Sequence, residues 1–540
     1  MRYLIDHDPS RFFTGGAAWC WSDEGVWDRS PDPRPIQVRW FARTVAFTRG
    51  GSCVLAISAD TRYALYVNGA LVARGPQKGD VAHQFYDALD LSDDLRDGDN
   101  LLLVRVDSSA KSFPYYFRTG PSASEMSAAT VFVADGWVKD AAGATTQSLA
   151  SGPEWRVRID DHLDFRPDPE QGSYVGYKEH ADLGRLPRGF HGDGDLANAA
   201  WKPATVVHPA FTPANALDAF LPHRLMQRSI APLTHTRVPF AAIRALREGT
   251  AVPRLVDGAL AIEVAARSRV RLVLDTGVLR TAYPVLRLAG GNGARIQLKY
   301  AETCLVDGRK AHRDLVDGAE LIGYSDTIIA GGDGRWTPLM WRTMRYCEVT
   351  AEAGDEALTI AELSLVDCHY PIVPARDFRC SDAQLERLWA VGLRTQQACA
   401  HETYEDCPYY EQLQYAGDTQ MQMLYTYAVS GETRLPLQAI RFFHWSMLPE
   451  GITQSRYPSR PTQVIPFWSL HWLMMLWDWW RWTGDTQAIR GEILDAVRTL
   501  RWFLDRRDAS GLVGALPYWC VADWSPEWCA RFGGNVPGVK

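Results

Sequence analysis

The stretch EDCPYYEQLQYAGD at positions 405–418 concentrates residues that can do chemistry. It holds four acidic side chains, one proline and three tyrosines, and it contains no Lys or Arg. Carboxylates without counter-charges repel one another and raise each other's pKa, which is one way in which a protein keeps a carboxyl group protonated. The stretch is therefore a candidate acid–base site.

The spacing of three of these acids suits glycoside hydrolysis. Pro408 fits the first turn of a helix, because its missing N–H is unpaired there anyway. Asp406 lies on the approach to a turn or a helix, and if the segment is helical, Glu411 and Asp418 share one face two turns apart. Three carboxylates would then converge on one cavity, where one carboxyl group can protonate a leaving oxygen and another can activate water or attack the sugar. The same acids would also suit helix caps, since a helix N-terminus favours negative charge, and spacing alone leaves both interpretations open.

Aromatic side chains are concentrated in the same part of the chain. Of the 21 tryptophans, 12 follow residue 380. Flat aromatic faces can pack against the C–H groups of a sugar while nearby Asp side chains bind its hydroxyl groups. The candidates for such walls are Tyr409, Tyr410, Tyr415, Trp468, Trp519, Trp524 and Trp528, and Asp523 precedes Trp524. The segment WLMMLWDWWRW at 472–482 instead indicates core packing, because Trp and Met recur there at helical spacing.

The composition is typical of a folded protein of several domains. The chain has 540 residues, of which 46% are hydrophobic and 22% charged, and its net charge is −7. The length predicts roughly three domains, and no Lys/Arg-rich block indicates a nucleic-acid partner. Asp6, His7 and Asp8 interrupt the apolar run that a signal peptide needs, and no window is apolar enough for a membrane span, so we expect a cytoplasmic protein without a membrane partner. The ten cysteines are scattered without metal-ligand spacing, so no metal site is expected.

Two strand-rich regions precede the acidic stretch. Residues 1–218 contain short apolar runs such as LLLVRVDS, and Asn68-Gly69 between two of these runs is typical of a type I′ hairpin turn. Residues 219–376 contain a second series, including RVRLVLD and LTIAELSLVD, broken by glycine-rich turns. We therefore predict antiparallel β-sandwich domains at 1–218 and at 219–376.

Helical periodicity begins near residue 380. Ser381 with Gln384 forms a capping-box pattern that predicts a helix of about 18 residues. Further helices fit at about 416–430, 433–448, 466–482 and 485–507. The segments SGETRLPLQAI and TGDTQAIRGEI, 53 residues apart, each end one helix at a glycine and begin another, as a helical hairpin repeat does. We predict that residues 377–540 form the first part of an α/α toroid, and because five helices do not close such a ring, we expect the protein to continue beyond Lys540.

With these features in view, DCPYYEQLQYAGD at 406–418 resembles the signature of bacterial α-L-rhamnosidases, inverting glycoside hydrolases in which an (α/α)6 catalytic barrel follows several β-sandwich domains. The resemblance covers most of the chain. AAWCW and ADTRYALYVNGALVARGP are similar to the galactose-binding-like sandwich of that family, and GRWTPLMWRTMRYCEVT resembles a strand pair of the sandwich before its barrel. VIPFWSLHW and ADW at 522–524 resemble two further segments of the barrel.

The resemblance implies roles for the acids and for two aromatic residues. Glu411 falls on the general acid, while Asp406 and Asp418 fall on aspartates that bind sugar hydroxyl groups and keep the acid protonated. Trp468 and Trp524 match aromatic positions that wall the rhamnose pocket.

Three further substrate-binding positions follow from the resemblance. Asp523 lies in the ADW segment. Tyr410 stands where an Arg is common in the family, and Tyr415 stands where a Trp is common. The change at position 410 removes a cation and a hydrogen-bond donor to the substrate.

The remaining expectations concern the reaction as a whole. The general base of the family is a Glu far downstream, which by the count of helices lies beyond Lys540. No metal or organic cofactor is implied, and the partner is a carbohydrate, most simply a terminal α-L-rhamnoside or a related sugar. Two other functions stay open, a non-catalytic carbohydrate-binding protein and a glycosidase of the same fold that acts on a different sugar.

Overall fold

The chain folds into two compact units. The computed structural model describes residues 2–22, 36–109, 124–166, 178–186, 200–213, 223–310 and 312–520. Unit 1 comprises the described residues of Met1–Arg228 and Thr234–Cys368, and unit 2 comprises those of Ser229–Leu233 and His369–Lys540. Nearly all of both predicted sandwich regions belongs to unit 1, and the division between them at residue 218 stays a prediction.

Unit 1 is built mainly of strands, which are rich in the β-branched and aromatic residues that favour extended backbone. The strands before residue 228 are β1 (Arg2–Tyr3), β2 (Thr14–Trp21), β3 (Gln37–Phe47), β4 (Ser52–Asp60), β5 (Arg62–Val67), β6 (Ala70–Gly75), β7 (Gln84–Asp90), β8 (Gly98–Ser108), β9 (Val131–Lys139), β10 (Thr145–Ser148), β11 (Arg156–Ile159), β12 (Leu163–Arg166), β13 (Lys178–Asp182), β14 (Lys202–Pro203), β15 (Thr205–Phe211) and β16 (Leu225–Gln227). The later strands are β17 (Thr236–Val238), β18 (Ala242–Glu248), β19 (Arg254–Val256), β20 (Ala259–Val264), β21 (Arg269–Gly290), β22 (Arg295–Ala301), β23 (Leu305–Val306), β24 (Arg309–Lys310), β25 (Ser325–Ile329), β26 (Gly334–Trp336), β27 (Arg342–Glu352) and β28 (Leu358–Asp367).

The first two sheets pack face to face as a β-sandwich. An eight-stranded sheet has the order β1-β7-β4-β9-β2-β15, with β10 beside β9 and β16 beside β7, and a six-stranded sheet has the order β14-β11-β3-β8-β5-β6. Buried side chains of both sheets form one core, in which Phe41 stacks on Phe132 with ring centroids 4.4 Å apart. The predicted hairpin turn is confirmed, because Asn68 and Gly69 have φ angles of 48° and 82° and join β5 to β6.

A twelve-stranded sheet contains most of the other strands of unit 1. Its central order is β12-β13-β25-β22-β27-β21-β28-β20-β19, while β17 pairs with β28, and β18 and β26 pair with β21. β12 and β13 come from the region predicted as the first sandwich, yet β13 runs parallel to β25 in this larger sheet. A buried ion pair holds them there: Arg342 on β27 contacts Glu179 on β13 at 3.0 Å and Asp326 on β25 at 2.8 Å. Long-range charge pairing therefore assigns β13 to a sheet that the strand pattern alone does not indicate.

We expect Arg342→Met to destabilise unit 1 strongly. The substitution leaves the buried carboxylates of Glu179 and Asp326 without their cation, which typically costs about 3–5 kcal/mol. Arg287→Met is the matched control, because Arg287 is 60% exposed and lies 3.6 Å from Glu362, a surface pair worth at most about 1 kcal/mol. Denaturant unfolding followed by tryptophan fluorescence measures both variants, and equal losses of stability would contradict the assigned role of Arg342.

Unit 2 contains five α-helices among its described residues. They are α1 (Ala383–Ala398), α2 (Ala416–Ser430), α3 (Arg434–Trp445), α4 (Trp468–Thr483) and α5 (Ile493–Leu504). Together they form an incomplete α/α toroid of helical hairpins, as predicted. Gly431 and Gly484 end α2 and α4 in the left-handed conformation, with φ angles of 67° and 70°, which confirms the glycines predicted to close these helices.

Two helix starts differ from the prediction. Asp382, rather than Ser381, caps α1, because its side chain accepts a hydrogen bond from the Gln384 N–H at 2.7 Å. α5 begins later than the predicted residue 485, since the Asp485 carboxylate accepts the Ala488 N–H at 3.0 Å and closes a separate turn before the helix. An Asp side chain thus caps α1, whereas the N-cap residue of α5, Glu492, forms no capping hydrogen bond through its side chain.

Helix α4 is apolar on two faces. Trp472 and Trp479 are buried, as predicted for a core segment, whereas Trp477 and Trp480 are 55% and 46% exposed. The prediction of core packing throughout 472–482 is therefore wrong for the outer face, and apolar surface of this kind is usually covered by another protein surface. Neither α4 nor any other helix in the described ranges is long and apolar enough to cross a membrane.

Candidate active site

Residues 399–415, between α1 and α2, form an irregular loop rather than a helix. The Asp406 N–H donates a hydrogen bond to the Leu413 carbonyl at 3.0 Å. In a helix an N–H donates to a carbonyl four residues earlier in the chain, whereas this N–H donates to a carbonyl seven residues later. Of the two predicted alternatives, a turn or a helix at Pro408, the helix is therefore wrong, because this hydrogen bond closes a loop.

A thiol group organises the turn that carries Glu411. The Cys407 sulfur accepts the Glu411 N–H at 3.1 Å, and it is also within hydrogen-bonding reach of the backbone N–H groups of Tyr410 and Tyr409. Burial raises the pKa of the Cys407 thiol, so the group stays neutral and acts as an acceptor in this turn. Glu411 consequently lies on a tight turn and does not share a helix face with Asp418.

Glutamine side chains fasten the loop to its surroundings. Gln422 on α2 donates to the Glu405 carbonyl at 2.8 Å, and Gln414 donates to the Tyr457 carbonyl at 2.8 Å. A buried carbonyl outside a helix or sheet needs a partner of this kind, since leaving it unpaired costs free energy. The loop is thus held by side-chain amides on both sides of Glu411.

A buried histidine and glutamate lie inside the same loop. His401 Nδ1 and Glu405 Oε1 are 3.1 Å apart, and both side chains are at most 1% exposed. Sequence reasoning assigned neither residue a role. Their nearly complete burial indicates that they support the loop rather than contact a substrate.

Glu411 is adjacent to a tyrosine that also contacts a buried arginine. The Tyr415 hydroxyl accepts a hydrogen bond from Arg456 Nη1 at 3.0 Å, and Arg456 is only 4% exposed. Burial raises the pKa of Tyr415, the neighbouring Glu411 carboxylate raises it further, and Arg456 opposes the shift. The side chains of Glu411, Tyr415 and Arg456 are therefore contiguous.

Arg456 is the functional candidate that sequence reasoning missed. It lies 41 residues after Tyr415 along the chain, and the two backbones meet in an isolated β-bridge. Its Nε has no hydrogen-bond partner among the described residues although the atom is buried. The one available signal in the sequence was the rarity of basic residues between α3 and α4, where only Arg456 and Arg460 occur.

Asp406 and Asp418 lie close to one buried thiol. This thiol is that of Cys399. Burial is the largest cause that raises its pKa, and the charges of Glu405, Asp406 and Asp418 raise it further. A charge acts on a titrating group in this way only at short range. Asp406 is exposed and Asp418 is half-buried in the first turn of α2, so both carboxylates are accessible to a ligand.

Trp468 flanks the start of α2. It is the first residue of α4, and its indole nitrogen would lie 3.4 Å from a Cβ atom placed on Gly417, the residue before Asp418. The indole N–H is buried and has no acceptor among the described residues. An aromatic face and an unpaired donor thus adjoin one of the aspartates.

The remaining predicted substrate-binding residues divide into two groups. Tyr410 is 37% exposed, and its ring packs edge to face on that of Tyr409 with centroids 4.6 Å apart. Asp523 and Trp524 lie outside the described residues. The site that can be built from the structure therefore comprises the loop, the first turn of α2, the start of α4 and Arg456.

A comparison with protein families identifies this region. Residues 375–536 match the model of the bacterial alpha-L-rhamnosidase 6 hairpin glycosidase domain. The match lies in the region that carries the acidic stretch, and the resemblance seen in the sequence is confirmed. A search of curated proteins found no match.

Solved structures show the same fold over nearly the whole chain. A GH78 family rhamnosidase of Bacillus sp. GL1 superposes with a TM-score of 0.74 at 18% identity, covering 94% of this chain and 71% of that enzyme. The alpha-L-rhamnosidase from Dictyoglumus thermophilum gives 0.66 at 16% identity, with 95% and 54% covered. The Streptomyces avermitilis alpha-L-rhamnosidase in complex with L-rhamnose gives 0.58 at 16% identity, with 95% and 60% covered. The chain thus spans between 54% and 71% of the length of these three enzymes.

The position of the Cys407 thiol predicts its chemical reactivity. We expect iodoacetamide at about pH 8 to alkylate Cys407 at least about tenfold more slowly than Cys380, because burial raises its pKa and lowers the fraction of reactive thiolate. Cys380 is exposed and serves as the internal standard, and both peptides are quantified by mass spectrometry. In urea we expect Cys407 and Cys380 to be alkylated at equal rates. Equal rates in the folded protein as well would show that the turn around Glu411 is not closed by the thiol.

Proposed function

We propose that the protein is a glycoside hydrolase that removes terminal α-L-rhamnose, or a closely related sugar, with inversion of configuration. The observation that carries the proposal is the placement of Asp406, Glu411 and Asp418 in and beside one loop of the domain that matches the rhamnosidase family. The complex of the Streptomyces avermitilis relative with L-rhamnose supports the choice of sugar.

Sugar binding rests on the two aspartates and Trp468. The accessible carboxylates of Asp406 and Asp418 accept hydrogen bonds from neighbouring hydroxyl groups of the ring. The apolar face of the sugar packs on the indole of Trp468, whose unpaired N–H can donate to a ring substituent. Tyr410, exposed at the edge of the loop, adds a second aromatic surface.

Proton transfer rests on Glu411. As the bond from the sugar to the glycosidic oxygen breaks, Glu411 donates its proton to that oxygen and the leaving group departs as an alcohol. Tyr415 and Arg456 lie behind Glu411 and fix the position of its carboxyl group. Position 410 offers no cation, so the buried guanidinium of Arg456 supplies positive charge next to Tyr415 in this part of the site.

Inversion needs a second carboxylate that activates water on the opposite face of the ring. In the proposed mechanism this base is a further Glu, as the resemblance implies. Asp406 and Asp418 stay with substrate binding, and none of the described acids is assigned to water activation.

Substitution of Glu411 tests the proposed general acid. We expect Glu411→Gln to lower kcat/KM on a rhamnosyl disaccharide by about 100-fold or more, the usual contribution of general acid catalysis. The loss on p-nitrophenyl α-L-rhamnoside should be smaller, because p-nitrophenolate leaves without protonation. Glu450→Gln, an exposed glutamate outside the loop, is the matched control and should retain full activity on both substrates.

Two results would contradict the assignment. Full activity of Glu411→Gln on the disaccharide would exclude Glu411 as the acid. Tight binding of L-rhamnose by the unaltered protein without turnover of either substrate would identify a carbohydrate-binding protein instead.

A further inference from the structure

The outer face of the six-stranded sheet in unit 1 carries a row of aligned side chains. Trp40 on β3 lies opposite Arg105 on β8, and Ala64 on β5 lies opposite both Arg105 and Arg74. Residues directly opposite one another in a sheet project from the same face. The small side chain of Ala64 therefore leaves a gap between two long cationic side chains.

A cavity of about 90 Å³ lies over this face. Its floor includes a second row, in which Leu103 lies opposite Tyr66 and Tyr66 lies opposite Leu71. The segment Arg335–Thr337 of the twelve-stranded sheet lines the opposite side. Leu71 is 40% exposed, so the cavity has an edge that reaches solvent.

Several hydrogen-bond donors around the cavity have no acceptor. The Arg74 guanidinium lies over the Tyr283 ring at 4.1 Å, forms no ion pair with any described residue, and has a buried Nε without a partner. Trp336 is 3% exposed, and its indole N–H is also without an acceptor in the described part of the chain. Buried donors in this state cost free energy unless a ligand or water accepts from them.

Arg105 differs from the other cations of the cavity. Burial lowers the pKa of Arg105, but Tyr66 and the carboxylates of Asp107, Glu179 and Asp160 outweigh that effect, so the pKa is raised. Arg105 is therefore charged, and these neighbouring carboxylates already balance its charge. Arg74 and the exposed Arg335 have no carboxylate partner among the described residues. No carboxylate lines the cavity within the described ranges, and its unpaired charge is therefore positive.

We propose that this cavity binds a carboxylated sugar of the uronic acid class. The planar guanidinium of Arg74 matches a carboxylate in geometry, and Arg335 at the rim adds a second positive charge. Tyr66, between Leu103 and Leu71, offers an apolar wall to the C–H face of a pyranose ring, which a simple inorganic anion would not use. The Trp336 N–H donates to an oxygen of the ring. This site lies wholly in unit 1 and does not depend on the proposed hydrolysis.

Binding of D-glucuronate to the whole protein tests the proposal. In isothermal titration we expect D-glucuronate to bind at least about tenfold more tightly than either D-glucose or acetate, because only the uronate has both the ring and the charge. Arg74→Met and Arg335→Met should each weaken uronate binding by about tenfold while leaving any binding of D-glucose unchanged. Arg287→Met is the matched control, since Arg287 lies opposite Arg335 in the sheet but pairs with Glu362 outside the cavity.

Three outcomes would overturn the proposal. Acetate that binds as tightly as D-glucuronate would show a simple anion site. Unchanged uronate binding in both Arg74→Met and Arg335→Met would place the ligand elsewhere, and the exposed Arg335 keeps this test valid if the Arg74 variant misfolds. Absence of uronate binding at concentrations up to about 50 mM would exclude a sugar acid site of useful affinity.

Discussion

The candidate active site depends on a loop whose backbone hydrogen bonds run against the direction of a helix. The bond from the Asp406 N–H to the Leu413 carbonyl brings the two ends of the loop together, and the Cys407 sulfur fixes the turn between them. These bonds turn Glu411 toward Tyr415, where the buried guanidinium of Arg456 completes the contact. A helix over the same residues would have spread the acids along one face. The loop instead holds its carboxylates in place through these few hydrogen bonds, and acid–base catalysis requires such fixed positions.

Features fixed by neighbouring residues could be predicted from the sequence. α2 begins and ends as the periodicity indicated, because Gly431 can adopt the left-handed conformation that closes a helix. The turn at Asn68-Gly69 forms for a similar local reason, since both residues accept positive φ angles. The acidic stretch itself was found because four carboxylates without a basic neighbour are rare on an ordinary protein surface. The order of the two β regions and the helical region followed from the change in hydrophobic period.

Features fixed by distant residues could not be predicted in the same way. Pro408 is locally compatible with a helix start, but the closing bond at Asp406 and the amides around the loop outweigh that preference. Arg456 reaches Tyr415 from 41 residues away, and no local pattern marks such a contact. β13 joins the larger sheet because of Arg342, which is 163 residues from Glu179 in sequence. Long-range contacts therefore decided both the details of the site and the sheet to which β13 belongs.

A crystal structure of the protein with bound L-rhamnose tests the central claim most directly. We expect the sugar hydroxyl groups within hydrogen-bonding distance of Asp406 and Asp418, the ring against Trp468, and the anomeric oxygen beside Glu411. A rhamnose molecule bound elsewhere in unit 2, with these carboxylates in contact only with protein or solvent, would contradict the claim that this loop is the catalytic site.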